Sequence, residues 1–489
     1  MSSLVPVRYG TAAGRWVIAA AVLGSGVAFL DATVVNVALP AIGRDLHAGF
    51  SGLQWTLDAY LLSLGSLLLV GGSLGDLFGR RRVFVIGLVG FTASSVLCGA
   101  APTIATLVVA RAVQGAAAAL LVPGSLALLS ASFHPDDRAR AVGAWSGLAG
   151  VWTAVGPFLG GWLIGAVSWR LVFFVNLPVA AFAAWVALHH VPESLDEDAD
   201  RHVDVLGAVA VTAGLGGAVY ALIEGPVHGV SVAIVAMALV SAAALVLFVV
   251  VELRSPHPMV PMSLFRSRQF SAANATTFAV YAALGIAMFL LVLELQKVLA
   301  YSPLEAGASL LPVTLLLLLL SSRTGALAQR IGPRLPMTLG PVVAAAGLAL
   351  LARVGPGTTY VGAVLPGVVV LGLGLALTVA PLTAAVLAAI DEHHVGVGSA
   401  INNATARVSG LVAVALVPAV SGLAGAHVGL GAFTTGFHRA MWIGAGLCAA
   451  GGVISLVGIR RAADVSCVPH ADIGSACHSP DLQRAAAAA

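Results

Sequence analysis

Apolar residues run in blocks about twenty long, separated by short polar turns, along nearly the whole chain. A helix rises about 1.5 Å per residue, so one such block crosses the ~30 Å hydrocarbon core of a bilayer. The pattern predicts fourteen spans, near 16–38, 53–74, 83–101, 104–128, 140–163, 170–190, 204–223, 230–252, 270–295, 306–326, 336–353, 359–388, 396–420 and 438–459. Glycine (56) and proline (23) punctuate the blocks. Membrane helices tolerate them because neighbouring helices satisfy the freed backbone groups. The first block is too long for a cleavable signal and lacks a small-x-small site after it, so it reads as a span that stays.

Composition agrees with this solvent. Charged residues are 9% and apolar ones 59%, against ~25% and ~45–50% in soluble domains, which excludes a soluble fold of this length. The net charge of +3 says little, because lipid-facing surface carries no charge. Its distribution says more. One set of alternate loops holds Arg80, Arg81, Arg82, Arg138, Arg140, Arg201, Arg254, Arg266, Arg268, Arg330 and Arg334. Arg8, Arg15, Arg460 and Arg461 at the ends join that set, while the opposite loops hold little beyond Arg44 and Lys297. Positive residues stay on the cytoplasmic side. The expectation is a multi-pass protein of the inner (plasma) membrane with both termini cytoplasmic. The acidic run 192–204 then reads as a solvated connector.

An internal repeat sets the architecture. "GSLGDLFGRRR" starts at Gly72 after the second span, and "GALAQRIGPRL" starts at Gly325 after the tenth, 253 residues later. Eight spans between copies of a six-helix unit leave two extra helices. The predicted parts are a bundle over 1–190, a linker with two extra spans over 191–268, a second bundle over 269–460 and a tail over 461–489. Transporters are often built from such repeats, with the substrate site at their interface.

The chain resembles the fourteen-span drug:proton antiporters of the major facilitator superfamily, from about residue 16 to 460. "LDATVVNVALP" (30–40) is similar to that family's first-helix signature. "GSLGDLFGRRR" resembles the superfamily loop motif, through Gly72, Asp76, Gly79, Arg80 and Arg81. "RAVQG" resembles the fourth-helix motif, through Arg111, Gln114 and Gly115. "GVWTAVGPFLGG" (150–161) resembles the fifth-helix antiporter motif and "NNATARVSG" (402–410) the thirteenth-helix pattern. The resemblance implies an all-α fold of two six-helix bundles plus two helices, and proton-coupled export by alternating access.

Residue chemistry gives each motif a physical reading. Asp31 is the only charged residue between Trp16 and Gly43. An ionisable group inside a span is costly and by default marks a pathway or proton relay. At ~1.5 Å per residue, Asp31 lies ~22 Å and Arg111 ~20 Å from the inner boundary. The two can therefore share one cluster, with Arg111 tuning a nearby acid. Asp31, Arg111 and Asp58 are the candidates for proton coupling. Asn36, Gln54, Trp55, Tyr60, Gln114, Glu294, Asn402 and Arg407 join Asp31 and Asp58 as candidate cavity residues. Glu294 either touches Lys297 at the interface or receives a cationic substrate. Asp76 with Arg80 and Arg81 reads as a conformational latch, and Gln329 in the second repeat makes that latch asymmetric. Small residues recur down the fifth span at Gly143, Gly147, Gly150, Ala154, Pro157 and Gly161, with Gly156 and Gly160 beside them. Such a stripe lets another helix approach closely, and Pro157 invites a bend; together they read as a bending seam.

Other features are discounted. Cys98, Cys448, Cys467 and Cys477 make no disulfide framework. Cys467, His470, Cys477 and His478 fit no common zinc spacing, and His189–His190 and His393–His394 sit at helix ends. No phosphate-binding Gly-Lys-Ser/Thr loop occurs, and no nucleophile–base constellation is visible. The expectation is a monomer that is not an enzyme, with no cofactor, metal or nucleic-acid partner. Its partners are protons, the lipid bilayer and a hydrophobic or cationic small molecule. Two alternatives stay open: export of a lipid or an endogenous metabolite such as an antibiotic, and a scaffold or sensor that does not transport.

Overall fold

The computed structural model describes residues 7–195, 204–229, 231–256, 258–390, 395–423 and 429–460. The Cys/His tail, Arg201, Arg461 and His393–His394 lie outside them, as does most of the acidic run. Among the described residues fourteen helices are long and apolar enough to cross a membrane. They are α1 (Ala12–Asp45), α2 (Phe50–Phe78), α3 (Arg80–Ala100), α4 (Ile104–Ser132), α5 (Pro135–Ala166), α6 (Leu171–His190) and α7 (Val205–His228). There follow α8 (Val232–Arg254), α9 (Arg268–Lys297), α10 (Pro303–Ile331), α11 (Arg334–Leu351), α12 (Tyr360–Leu387), α13 (Gly396–Ser421) and α14 (Leu430–Gly458). Beta structure among the described residues is one isolated bridge, Val7 to Phe133. An even number of crossings puts residues 7 and 460 on one face, called here the near face.

Polar caps start several helices. Thr103 and Thr106 form a reciprocal capping box at α4, as Ser302 and Glu305 do at α10. Each satisfies two backbone donors that a helix start leaves free. The helices α1–α6 pack on one another, as do α9–α14, giving the two six-helix bundles. Between them in sequence, α7 and α8 form a pair, and α7 touches α2 and α13. Within the first bundle α2 lies close against α4. A methyl placed on Gly115 would lie 2.2 Å from the Ser63 hydroxyl and 2.3 Å from the Tyr60 carbonyl. Only glycine lets α4 lie this close, and that seats Arg111 one turn away directly over α2.

The bundles meet at the far face. There Val34, Val35, Ala38 and Leu39 of α1 share one buried core with Leu290 and Leu293 of α9 and Val414 and Val417 of α13. Two amides also cross the boundary: Gln54 donates to the Val414 carbonyl at 2.7 Å and Gln296 to the Val37 carbonyl at 2.9 Å. Far-face loops carry more positive charge than the sequence reading allowed, since Arg170 and Arg353 lie there too. Arg170 is engaged by Asp45 at 3.1 Å and by the carbonyls of Gly99 and Ala101.

The stripe on α5 behaves differently along its length. A methyl on Gly161 would sit 2.5 Å from the Pro303 carbonyl, and one on Gly307 would sit 2.1 Å from the Pro157 carbonyl. The far half of α5 is thus locked against the first turn of α10. Gly156 and Gly160 turn to α1, against Thr33 and Val34. Gly143, Gly147 and Gly150, toward the near face, are exposed and face open space. The molecule is closed at the far face and parted along α5 at the near face.

Candidate functional site

The polar centre of the first bundle is built from five helices. Asp31 of α1 and Arg111 of α4 are 0% and 1% exposed. Arg111 Nη1 donates to Asp31 Oδ2 at 2.5 Å and to Gln114 Oε1 at 2.7 Å. Its Nε donates to the Thr56 carbonyl of α2 at 3.0 Å, and its guanidinium carbon lies 4.2 Å from the centre of the Tyr60 ring. Asp31 Oδ1 accepts from Gln114 Nε2 at 3.0 Å and from Asn176 Nδ2 of α6 at 3.1 Å. Gln114 Nε2 also reaches Ser95 Oγ of α3 at 2.9 Å. Arg111 and Gln114 stand three residues apart, so one face of α4 presents both to Asp31. A charge pair so enclosed is held by geometry and by the hydrogen bonds that satisfy its remaining atoms.

Three of these partners escaped the sequence reading: Ser95, Asn176 and the Thr56 carbonyl. Asn176 left a signal, being the only amide side chain in the sixth span. It opens the longer piece of α6, where the helix breaks at Val175. Ser95 left none, because serines bonded to their own helix are common in spans.

The other candidate residues do not gather into this cluster. Asp58 is fully buried in α2, and among the described residues no group is placed to hydrogen-bond either carboxylate oxygen. It lies one turn from Gln54, on the side of α2 where Gln54, Leu61 and Gly65 meet α13. Trp55 turns to the added pair, donating its indole N–H to Glu224 of α7 at 2.7 Å. Asn36 donates to the Ala32 carbonyl of its own helix. Arg407 of α13 crosses between the bundles, its guanidinium carbon 5.9 Å from the centre of the Phe29 ring of α1. Asn402 stays in the second bundle, donating to Thr277 at 2.7 Å and Asn274 at 3.2 Å.

Glu294 corrects one reading. It is not an interfacial carboxylate beside Lys297. It is fully buried and accepts from Thr434 of α14 at 2.8 Å, while the Lys297 ammonium lies 5.6 Å from the Phe433 ring centre. The rotation of α9 about its own axis, which sequence spacing does not give, turns the carboxylate inward.

The near-face turn is also more connected than expected. Asp76 pairs with Arg80 at 2.8 Å, which joins α2 to α3 within the first bundle. Glu193, at the start of the acidic connector, accepts from the backbone N–H groups of Arg81 at 3.0 Å and Arg82 at 3.2 Å. The first residues of the connector therefore cap α3, where a carboxylate meets the positive end of the helix.

Among the described residues no group of three or more His, Cys, Asp or Glu side chains is arranged to hold a metal ion. The family model for the Major Facilitator Superfamily matches residues 21–204 and 198–414. The multidrug resistance protein Stp of Mycobacterium tuberculosis is 37% identical over 81% of this chain and 74% of its own length. The puromycin resistance protein pur8 of Streptomyces alboniger is 36% identical over 86% of this chain and 85% of its own. The tetracenomycin C resistance and export protein of Streptomyces glaucescens is 33% identical over 81% and 74%. Among solved structures, an auto-inhibited POT family peptide transporter superposes with a TM-score of 0.68 at 14% identity, over 91% of this chain and 96% of that one. A bacterial homologue of the human lysosomal transporter Spinster, inward-facing and unoccupied, gives 0.63 at 15%, over 92% and 97%.

Proposed function

Because the chain belongs to the Major Facilitator Superfamily, we propose that it is a proton-coupled exporter of small organic molecules of the antibiotic and drug type. The observation that carries this reading is the enclosed Asp31–Arg111 pair. A carboxylate and a guanidinium buried in a membrane helix bundle are costly to keep there. A structural pair could be replaced by apolar side chains without loss, or with a gain. A pair whose carboxylate takes up and releases a proton cannot be replaced in that way. Protonation of Asp31 removes the charge that holds Arg111 Nη1, and the whole hydrogen-bonded set across α1, α3, α4 and α6 must readjust. That readjustment is the proposed link between proton uptake and the relative movement of the bundles. Asp58, buried on the seam with α13, is proposed as a second acid in the same cycle.

The names of the relatives, which concern multidrug, puromycin and tetracenomycin C resistance, support the cargo class. The bias of arginines toward the near face supports placing that face, and both chain ends, in the cytoplasm. The molecule as described is then open inward along α5 and sealed outward. The Asp76–Arg80 pair, with Glu193 bracing the same turn, is proposed to hold the near face in one of its conformations.

Everted membrane vesicles containing the protein test this function. An imposed proton gradient, acid inside, should drive uptake of a fluorescent cationic dye or labelled puromycin, and a protonophore should abolish it. Uptake that ignores the gradient and the protonophore for every compound tried would overturn the coupling. Specific binding without any flux would instead favour a sensor.

A further inference from the structure

A cavity of about 230 Å³ lies on the lipid side of the seam between α2 and α13. It sits in the near-face half of the membrane, since Thr405 is nine residues (~14 Å) into α13 from its near end. Toward the far face it is closed by α7, whose Leu215, Val219 and Ile223 pack on Leu411 and Ala415 of α13. Toward the near face it is closed by the strap 258–267. Glu252 holds that strap by accepting from the Val260 N–H at 2.9 Å, and the Ser271 hydroxyl does so by donating to the Phe265 carbonyl at 2.6 Å. The cavity is open to the bilayer beside Phe248 of α8 and Phe278 of α9, the latter 39% exposed.

Its lining decides what fits. Among the described residues no charged side chain contributes to it. The only hydroxyls are Ser66 and Thr405, and each donates to its own helix, at 2.6 Å to Leu62 and 2.8 Å to Ile401. A polar or cationic ligand would lose its water here and gain no hydrogen bond in return. The volume is also below the ~300–1,000 Å³ of sites that enclose a drug-sized molecule. A segment of one hydrocarbon chain, the rest of it lying in the bilayer beside the opening, meets both conditions. Positive charge flanks the strap at the level where a headgroup would lie: Arg254 ends α8, Arg266 precedes α9 and Arg268 begins it, all exposed.

We propose that this cavity binds one acyl chain of an anionic phospholipid from the near leaflet, with its phosphate held by Arg254 and Arg266. The walls come from both bundles and from the added pair, so the lipid binds the arrangement described here. A ligand that prefers one conformation shifts the population toward it. The added pair thereby acquires a role, as the outer wall of a lipid site that holds the α2–α13 seam together.

Photolabelling tests the proposal. The full-length protein is reconstituted in phosphatidylcholine with a trace of phosphatidylglycerol carrying a diazirine on its acyl chain, irradiated, and mapped by peptide mass spectrometry. Adducts should concentrate on Phe248, the 259–265 strap and Phe278. Ala404→Trp, which fills the cavity, should remove them. Thr405→Phe serves the same purpose if the first variant does not fold. Replacing Arg254 and Arg266 by Gln should lower the yield by about fivefold per arginine for the glycerol lipid and lower it less for a phosphatidylcholine probe, whose choline offsets the phosphate charge. Adducts spread evenly over the lipid-facing helices, or unaffected by filling the cavity, would overturn the proposal. So would a photoreactive cationic dye labelling these same residues while the lipid probe does not, which would give the cavity to the transported molecule.

Discussion

Asp31 is held by three side chains, and each would respond to its removal. In Asp31→Asn, Arg111 keeps its charge and loses the carboxylate at 2.5 Å. The new amide also brings a donor toward Gln114 and Asn176, which already donate to that position. Breaking one side of a buried ion pair costs about 3–5 kcal/mol. Asp31→Asn should therefore unfold in detergent at a clearly lower temperature than the parent, and adding Arg111→Gln should recover most of that loss. Both variants should still fail in proton-driven transport. A double variant no more stable than the single one would show that charge balance is not what holds this cluster. The pair itself was legible in the sequence, because a charge in an apolar block stands out and helix rise converts position into depth. The neighbours of Glu294 and Trp55 were not legible for one shared reason: depth can be counted along a helix, but the direction a side chain faces depends on packing. Asn176 was visible and overlooked. Asp58 was noticed, yet its burial on the seam with α13 depends on how the two bundles dock.

At the scale of elements, α5 carries the clearest instruction. Its small residues form one stripe, and the spacing alone shows that a helix can approach there. What the spacing cannot show is that the partner engages only the far half, because that depends on which conformation the bundles adopt. The contact of Gly307 with the Pro157 carbonyl leaves no room for a side chain. Gly307→Val should push the first turn of α10 away from α5 and favour opening of the far face. In a background without native cysteines, Gln296→Cys should then react several-fold faster with an impermeant maleimide added from the far side. Gly147→Val, where a methyl meets open space, should leave that rate unchanged. Equal labelling in the Gly307→Val variant and its parent would remove α5–α10 from the far-face seal. The near-face turn teaches a related lesson. The loop motif and the acidic connector are far apart in sequence, and the fold joins them through Glu193 at the start of α3.

Across the whole molecule, the count of fourteen spans followed from block length, and the two bundles with an added pair followed from one repeated loop. Hydrophobic length is enough to count spans because the bilayer fixes how long a helix must be. The way the bundles meet was not legible, since it depends on packing between side chains far apart in sequence, such as Gln54 on Val414 and Gln296 on Val37. In the proposed cycle the proton taken up by Asp31 is what drives the bundles past one another. The most direct measurement uses purified Asp31→Asn in liposomes at the parent's density, with one labelled substrate followed in two ways. Exchange of substrate between equal concentrations on the two sides, with no proton gradient, should persist. Accumulation against a substrate gradient, driven by an imposed pH difference, should vanish while the parent accumulates substrate under the same conditions. Accumulation by Asp31→Asn equal to the parent's would contradict the account and leave Asp31 a structural residue.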